Sequence, residues 1–295
     1  MSPVMTVFNL GSINLDLFYS VPHFPAPGET LTTLDHQRTL GGKGANQSIA
    51  LAKAGAHTIH IGAINPADAW LTAQMQDDGV DIAHIQSSDL ATGHAIVAVN
   101  QEAENQILLC PGANRGIDMA AACAVLDQAD KGDWALLQNE TNGGDDFVAA
   151  AKARGLKLAY SAAPFEADIV ARLLPVTDLL VVNEGEAAAL ADMLGRPARE
   201  FGLAHLVITR GGNGADYFGE AGTLHQPALP VDPVDTTGAG DCFFGFFLAA
   251  LANDQPVSAA LADASAAAAI QVTRSGAALA IPARGEVTAI LATHN

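Results

Sequence analysis

A chain of 295 residues that is 49% apolar and only 16% charged can bury a large core, which excludes a disordered or fibrous chain and suits one large α/β domain. Acidic residues outnumber basic ones 32 to 14, a formal charge of −18, which argues against sequence-independent nucleic-acid binding and against an anionic membrane surface. A small anionic substrate stays open, because backbone amides or a metal can neutralise it locally, and the acidic excess reads first as a solvation or salt adaptation. The three cysteines, Cys110, Cys123 and Cys242, have no metal-ligand spacing and read as reduced thiols of a cytoplasmic protein. The opening MSPVMTVFNLGSIN lacks a basic start, and no run of about 18 apolar residues occurs, so neither a signal sequence nor a transmembrane helix is expected.

In chain order, VMTVFNLGS (Val4 to Ser12) is predicted to be a buried strand running into a glycine turn. TLTTLDHQRTL (Thr30 to Leu40) alternates loosely and predicts an exposed strand. GGKGANQSIALAKAGA (Gly41 to Ala56) predicts a glycine loop and then a helix ending at Gly55. HTIHIGAI predicts a strand and DAWLTAQMQDDG a helix. GHAIVAVN and NQILLC flank the polar QEAE and predict a hairpin. WALLQ, LKLAYS, DLLVVN and HLVITRGG then alternate with the helical GDDFVAAAKARG, EADIVARLL and EGEAAALADMLG, the rhythm of a parallel sheet covered by helices. GADYFGEAGTLHQPAL adds short strands. The rest is predicted to be mostly helical from Ala239 to Arg274, and again near the C-terminus. The β-rich segments at about 14–40 and 91–112 interrupt the rhythm and are predicted to form a small appended sheet.

The stretch PVDTTGAGDCFFGFFLAAL sets Asp235 and Asp241 at the mouth of the most apolar segment. A helix starting near Ala239 puts Phe243, Phe247 and Leu251 on one face. Its unpaired amides offer an anion site, with Asp241 beside it. Two readings stand: Asp241 complements the helix dipole, or it takes a proton from a hydroxyl attacking a phosphate. In GGKGANQ, Gly41, Gly42 and Gly44 form either a plain helix entry or a binding loop presenting Lys43 and Asn46; the spacing is not that of a P-loop. Asn14 and Asp16 follow a strand end, where open α/β sheets bind ligands, although turn chemistry uses the same residues. Asn183 and Glu186, three apart, share a helix face or form a cap. A nicotinamide dehydrogenase is disfavoured, since the first strand ends in GSINLD rather than GxGxxG.

Taken together, GSINLD, PAPGET, GGKGANQ, VNEGE, VITRGGNG, DTTGAGD and AAAAIQVTRSGA resemble, in order, the motifs of the ribokinase-like PfkB carbohydrate kinases, with the ribokinase branch the nearest in likeness. The resemblance runs from Val7 to about Pro282. It implies a three-layer α/β/α ribokinase-like fold with a mainly parallel sheet and a small β-sheet lid, as one domain over 1–295. It also implies ATP-dependent phosphorylation of a sugar's primary hydroxyl, D-ribose first among acceptors; another sugar, a nucleoside or a non-catalytic binding role are the alternatives.

By the same resemblance Asp241 is the base, and Gly238, Ala239 and Gly240 form the anion hole. Asn14, Asp16, Gly42, Lys43, Asn46 and Glu140 hold the sugar. Asn183, Thr209, Gly211, Gly212, Gly214, Gly240 and Ser265 hold ATP, and Asn183 and Glu186 organise Mg²⁺ through water. Asp235, Thr237, Gln271, Arg274, Gly276 and Ala280 surround a monovalent cation, K⁺ by expectation. A homodimer paired through the lid is implied, with no nucleic-acid or membrane partner. Two departures stand out. SAAPF puts Ser161 where ribokinases tend to carry an amide, and the lid strand GHAIVAV carries His94.

Overall fold

In the computed structural model, which describes residues 5–102 and 104–294, nine strands form one sheet and four form another. Val4 of the first predicted strand and Ala103 of the QEAE turn lie outside the described residues.

The first half holds strands β1 (Thr6–Leu10), β2 (Asn14–Ser20), β3 (Asp35–Gly41), β4 (His57–Ile64), β5 (Asp81–Ser87), β6 (Gly93–Val99) and β7 (Asn105–Cys110). Helices α1 (Lys43–Lys53), α2 (Ala69–Asp77) and α3 (Met119–Ala124) belong to the same half. The second half alternates β8 (Trp134–Leu137), α4 (Gly144–Ala153), β9 (Lys157–Ser161), α5 (Ala167–Leu173), β10 (Leu179–Asn183), α6 (Glu184–Leu194) and β11 (His205–Thr209). It ends with β12 (Ala215–Gly219), β13 (Gly222–Gln226), α7 (Ala239–Ala252), α8 (Val257–Val272) and α9 (Arg284–His294).

The large sheet runs β13-β12-β11-β10-β9-β8-β1-β4-β5, parallel except for β12 and β13. Its central strands are buried on both faces, so side chains alternate between two cores. Val7, Trp134 and Leu136 face the core covered by α1, α2, α7, α8 and α9, whereas Phe8, Ala135 and Leu137 face the one covered by α3 to α6. That is the expected three-layer α/β/α arrangement. Strand order reverses between β1 and β8: the chain proceeds to β4 and β5 on one side, and to β9, β10 and β11 on the other. Open α/β sheets bind ligands at the carboxyl ends of strands at such a switch point.

The small sheet, β3-β2-β6-β7, joins the two β-rich segments as expected. Other details differ from expectation. The exposed strand begins at Asp35 rather than Thr30, because residues 21–34 carry Pro22, Pro25, Pro27 and Gly28 and form a loop. DIAHIQS was not predicted as a strand, yet it forms β5 at the sheet edge, where half-exposure blurs its alternation. The short α3 likewise went unpredicted. The long helical region breaks at Pro256, which caps α8, and ends at Val272 rather than Arg274.

Helix α7 is buried on every side from Asp241 to Ala252, wedged between the sheet, α1 and α8. Its crossing with α1 is close enough that a Cβ at Gly245 would overlap the Ala50 methyl and crowd the Leu51 amide. Gly245→Val is therefore expected to cost about 1–3 kcal/mol of stability through overpacking. Thermal melts would check this, with Gly285→Ala in α9, where a new methyl meets open space, expected to show no loss.

Candidate active site

At the switch point the carboxyl end of β1 turns through Gly11 and Ser12 into β2, and α1 starts directly above. Gly44 lies so close to Gly11 and Ser12 that a Cβ would collide with their backbones, and Gly41 has the Asp16 carboxylate where its Cβ would be. This packing lets Glu140, in the turn after β8, accept hydrogen bonds from the Ser12 hydroxyl and from the Lys43 N–H, the latter at 3.1 Å. Asn14 Oδ1 accepts from Asn114 Nδ2 at 2.8 Å, while Asn114 Oδ1 accepts from the Ile13 N–H at 3.0 Å. A cavity of about 210 Å³ is lined here by Asn14 and Glu140 together with Asn114, Arg115 and Asn139.

Asp16, Gly42, Lys43, Asn46 and Glu140 thus gather on β2, the start of α1 and the end of β8. Burial, and then the nearby Glu140 carboxylate, raise Asp16 from its ordinary value to about 6.

Asp241 lies in the first turn of α7 and is 8% exposed. Its Oδ2 accepts from Asn46 Nδ2 at 3.1 Å, and its Oδ1 from Gln47 Nε2 at 2.8 Å. No cation pairs with it among the described residues; two neutral amides hold it. Asn46 Oδ1 is buried and has no donor among the described residues, so it is an open acceptor beside the carboxylate. The N-cap of α7 is Gly238, in the left-handed region at φ 73° and with no side chain to cap the helix. The Ala239 N–H turns back to the Thr236 carbonyl at 3.2 Å. The Gly240 and Asp241 amides stay unclaimed among the described residues. Cys242 is inert by burial: desolvation first, then the Asp241 carboxylate, push its thiol up.

A second cavity, of about 480 Å³, opens on the other side of the α7 start. Thr209, Gly211, Gly212, Gly214, Gly240 and Ser265 all line it, and its apolar wall includes Val231, Ala268 and Val272. Asp241 lines neither cavity. It follows Gly240 of the larger one and is tied through Asn46 to α1, whose Lys43 amide reaches Glu140 of the smaller one.

Asn183 and Glu186 form a capping box: Asn183 Oδ1 accepts from the Glu186 N–H at 2.9 Å, and Glu186 Oε2 from the Asn183 N–H at 2.8 Å. Asn183 is exposed and Glu186 half-buried, and one Glu186 carboxylate oxygen stays outside the cap.

Asp235, Thr237, Gln271 and Gly276 come together. Asp235 accepts from the Thr237 and Gly276 amides, each at 2.9 Å, and Gln271 Nε2 donates to the Thr237 carbonyl at 3.0 Å. Burial pushes the Asp235 carboxyl up, but the Gly276 and Thr237 donors outweigh it and hold it below its usual value. The Arg274 guanidinium turns away to Glu286, and Ala280 sits in the 3-10 turn Ala278–Ala280. His94 Nδ1 donates to the Thr92 carbonyl at 2.9 Å, a local contact.

Sequence reasoning missed Ser12, Gln47 and Asn114. Gln47 stands within GGKGANQ beside Asn46, but only its partner, 194 positions away, gives it a role.

The pfkB family carbohydrate kinase pattern matches residues 6–284. The chain belongs to the PfkB family of carbohydrate kinases. It is 35% identical to a ribokinase of Haemophilus influenzae, over 97% of this chain and 98% of that one. It is 32% identical to a ribokinase of Bacillus subtilis, over 96% and 98%. A solved structure of Arabidopsis thaliana ribokinase, complexed with ribose and ATP, superposes with a TM-score of 0.84 at 27% identity, covering 99% of each chain. The fold is therefore the ribokinase-like α/β fold.

Because Asp16 is raised, its contribution to stability is full below its ordinary value near 3.8 and is lost as pH climbs through about 6. Without ligand, Asp16→Asn is expected to melt above the wild type at neutral pH, with the gap closing as pH falls to about 4. A pH series of thermal melts reads this directly.

Proposed function

We propose that this chain is an ATP-dependent ribokinase, which transfers the γ-phosphoryl group of ATP to the primary hydroxyl of D-ribose and yields D-ribose 5-phosphate and ADP. The observation that carries the reading is the Asp241 carboxylate, held by two amides in the first turn of the uncapped α7, next to Gly240 of the larger cavity and joined through α1 to Glu140 of the smaller one. Ribose as acceptor is supported by the ribokinase relatives and by the ribose and ATP held in the Arabidopsis structure.

Asp241 takes the hydroxyl proton as the sugar oxygen bonds to the γ-phosphorus; the bond from that phosphorus to the bridging oxygen breaks, and ADP leaves. The free Gly240 and Asp241 amides face the charge that develops on the transferring group. Asn46 Oδ1, lacking a donor, suits a sugar hydroxyl, as do Asn14, Asp16 and Glu140. ATP occupies the larger cavity, with its base against Val231, Ala268 and Val272.

Mg²⁺ neutralises phosphate charge when bound. The Glu186 oxygen left outside the capping box fits contact with its waters, near Asn183. A monovalent cation fits the Asp235 loop, where Gln271 Oε1 is buried without a donor beside the Thr237 carbonyl. Both assignments leave the base and its amides unchanged.

The chain acts as one α/β domain with the small sheet as a lid over the sugar, excluding water that would compete for the phosphoryl group. A homodimer through the lid suits edge strand β7, where Ile107, Leu108 and Leu109 are 57%, 70% and 53% exposed. Unpaired thiols and ATP use suit the cytoplasm.

Asp241→Asn is expected to lower kcat by about 10²- to 10⁴-fold while nucleotide binding persists. Near wild-type turnover would end the base assignment. ADP release measured across pentoses, ketohexose derivatives and nucleosides should be fastest with D-ribose; a faster nucleoside would replace the acceptor. Leu108→Asp is expected to shift sedimentation from dimer to monomer, and an unchanged monomeric wild type would remove the dimer.

A further inference from the structure

Behind Asp241 runs a row of buried polar side chains that the transfer chemistry leaves without a task. Gln47 Nε2 donates to Asp241 Oδ1 at 2.8 Å and to Ser161 Oγ at 2.9 Å, which uses both of its hydrogens. Gln47 Oε1 accepts from Gln138 Nε2 at 2.8 Å, and the same nitrogen donates to Asn9 Oδ1 at 3.0 Å. Asn9 Nδ2 donates to the Gly44 carbonyl at 2.9 Å and to Ser48 Oγ at 2.8 Å. Ser48 Oγ lies 2.8 Å from His60 Nδ1, and His60 Nε2 lies 3.1 Å from the Gly11 carbonyl.

The direction of the row follows from its far end. A carbonyl oxygen only accepts, so His60 carries its hydrogen on Nε2 and its Nδ1 accepts from the Ser48 hydroxyl. Ser48 Oγ is then the acceptor for Asn9, whose oxygen must face Gln138. Gln138 in turn presents nitrogen to Gln47, and Gln47 presents nitrogen to Asp241. Gln47, Asn9, Ser48 and His60 are fully buried and Gln138 nearly so, so no water stands ready to replace a lost partner. Burial holds His60 down near 4, which keeps that end neutral. Reversing the Gln47 amide would set its oxygen against a carboxylate oxygen and its nitrogen against the Gln138 nitrogen.

We propose that Gln47 is a positioning residue for phosphoryl transfer, its amide fixed in orientation by the Gln138 nitrogen and braced by the Ser161 hydroxyl so that it pins one oxygen of Asp241. Asn46 holds the other oxygen, so the carboxylate plane cannot swing, and one face stays turned to the incoming hydroxyl. This rests on Asp241 being the base.

Gln47→Met keeps the volume and removes the donors. It is expected to lower kcat by about 10- to 100-fold, as loss of a hydrogen bond to a charged group does, with KM for ribose and for ATP changed by less than about threefold. Ser161→Ala, a small change that keeps Gln47, is expected to lower kcat by about two- to fivefold with both KM values unchanged. A folded Gln47→Met enzyme with wild-type kcat overturns the proposal, as does a loss confined to KM for ribose, which would make Gln47 part of the sugar pocket. If Gln47→Met does not fold, wild-type kcat in Ser161→Ala overturns it instead. Asp241→Asn run alongside separates the two ideas: a dead Asp241→Asn with a fully active Gln47→Met removes only the positioning role, whereas an active Asp241→Asn removes the base itself.

Discussion

Asn46 and Gln47 reach Asp241 from the other end of the chain, Asn46 across 195 positions, because α1 lies almost in backbone contact with its neighbours at two places. At its start, Gly44 sits against Gly11 and Ser12; farther along, Ala50 and Leu51 sit against Gly245 of α7. A side chain at either glycine would push α1 outward, and a shift of 1 Å is enough to break hydrogen bonds of about 3 Å. The α1–α7 crossing therefore sets the geometry of the carboxylate. The all-round burial of α7 then makes that geometry rigid, since a helix packed on every side cannot rotate to relieve a poor contact.

Electrostatics divide the site into two halves of opposite character. Asp241 is surrounded by neutral donors, which hold a carboxylate without placing a fixed cation near the incoming phosphate charge. Asp16 and Glu140 instead form an unfavourable pair: burial and mutual repulsion raise Asp16 in the absence of ligand. A polyol would relieve that arrangement by giving hydroxyl donors to both carboxylates. The proposed sugar side thus holds a cost that the fold bears elsewhere, in its two apolar cores.

The parallel rhythm after Trp134 was legible because buried strands and amphipathic helices alternate there with clear punctuation. β5 was not, because an edge strand that is half exposed on both faces loses its period-two signal. The residues proposed to hold the nucleotide stood out as motifs, and Thr209, Gly211, Gly212, Gly214, Gly240 and Ser265 line one cavity. Asn183 and Glu186 show the limit of spacing arguments: the pattern expected to mark a Mg²⁺ motif is also the pattern of a capping box, and the pair forms that cap. Asn114 and Gln138 carried no local signal, since a buried amide acquires meaning only from partners about a hundred residues away.

Ser161 illustrates how a departure in sequence changes meaning once its neighbours are known. Standing where an amide is usual, it suggests a change in the sugar contacts. Its hydroxyl oxygen instead accepts from Gln47, on the side of the row that backs Asp241. An amide there could turn a nitrogen toward Gln47 and compete with the donor that Asp241 needs, whereas a hydroxyl oxygen can always accept. The residue therefore bears on how Gln47 is held, and through it on the proposed base. In the proposed reading, sugar preference is left to Asn14, Asp16, Asn46 and Glu140.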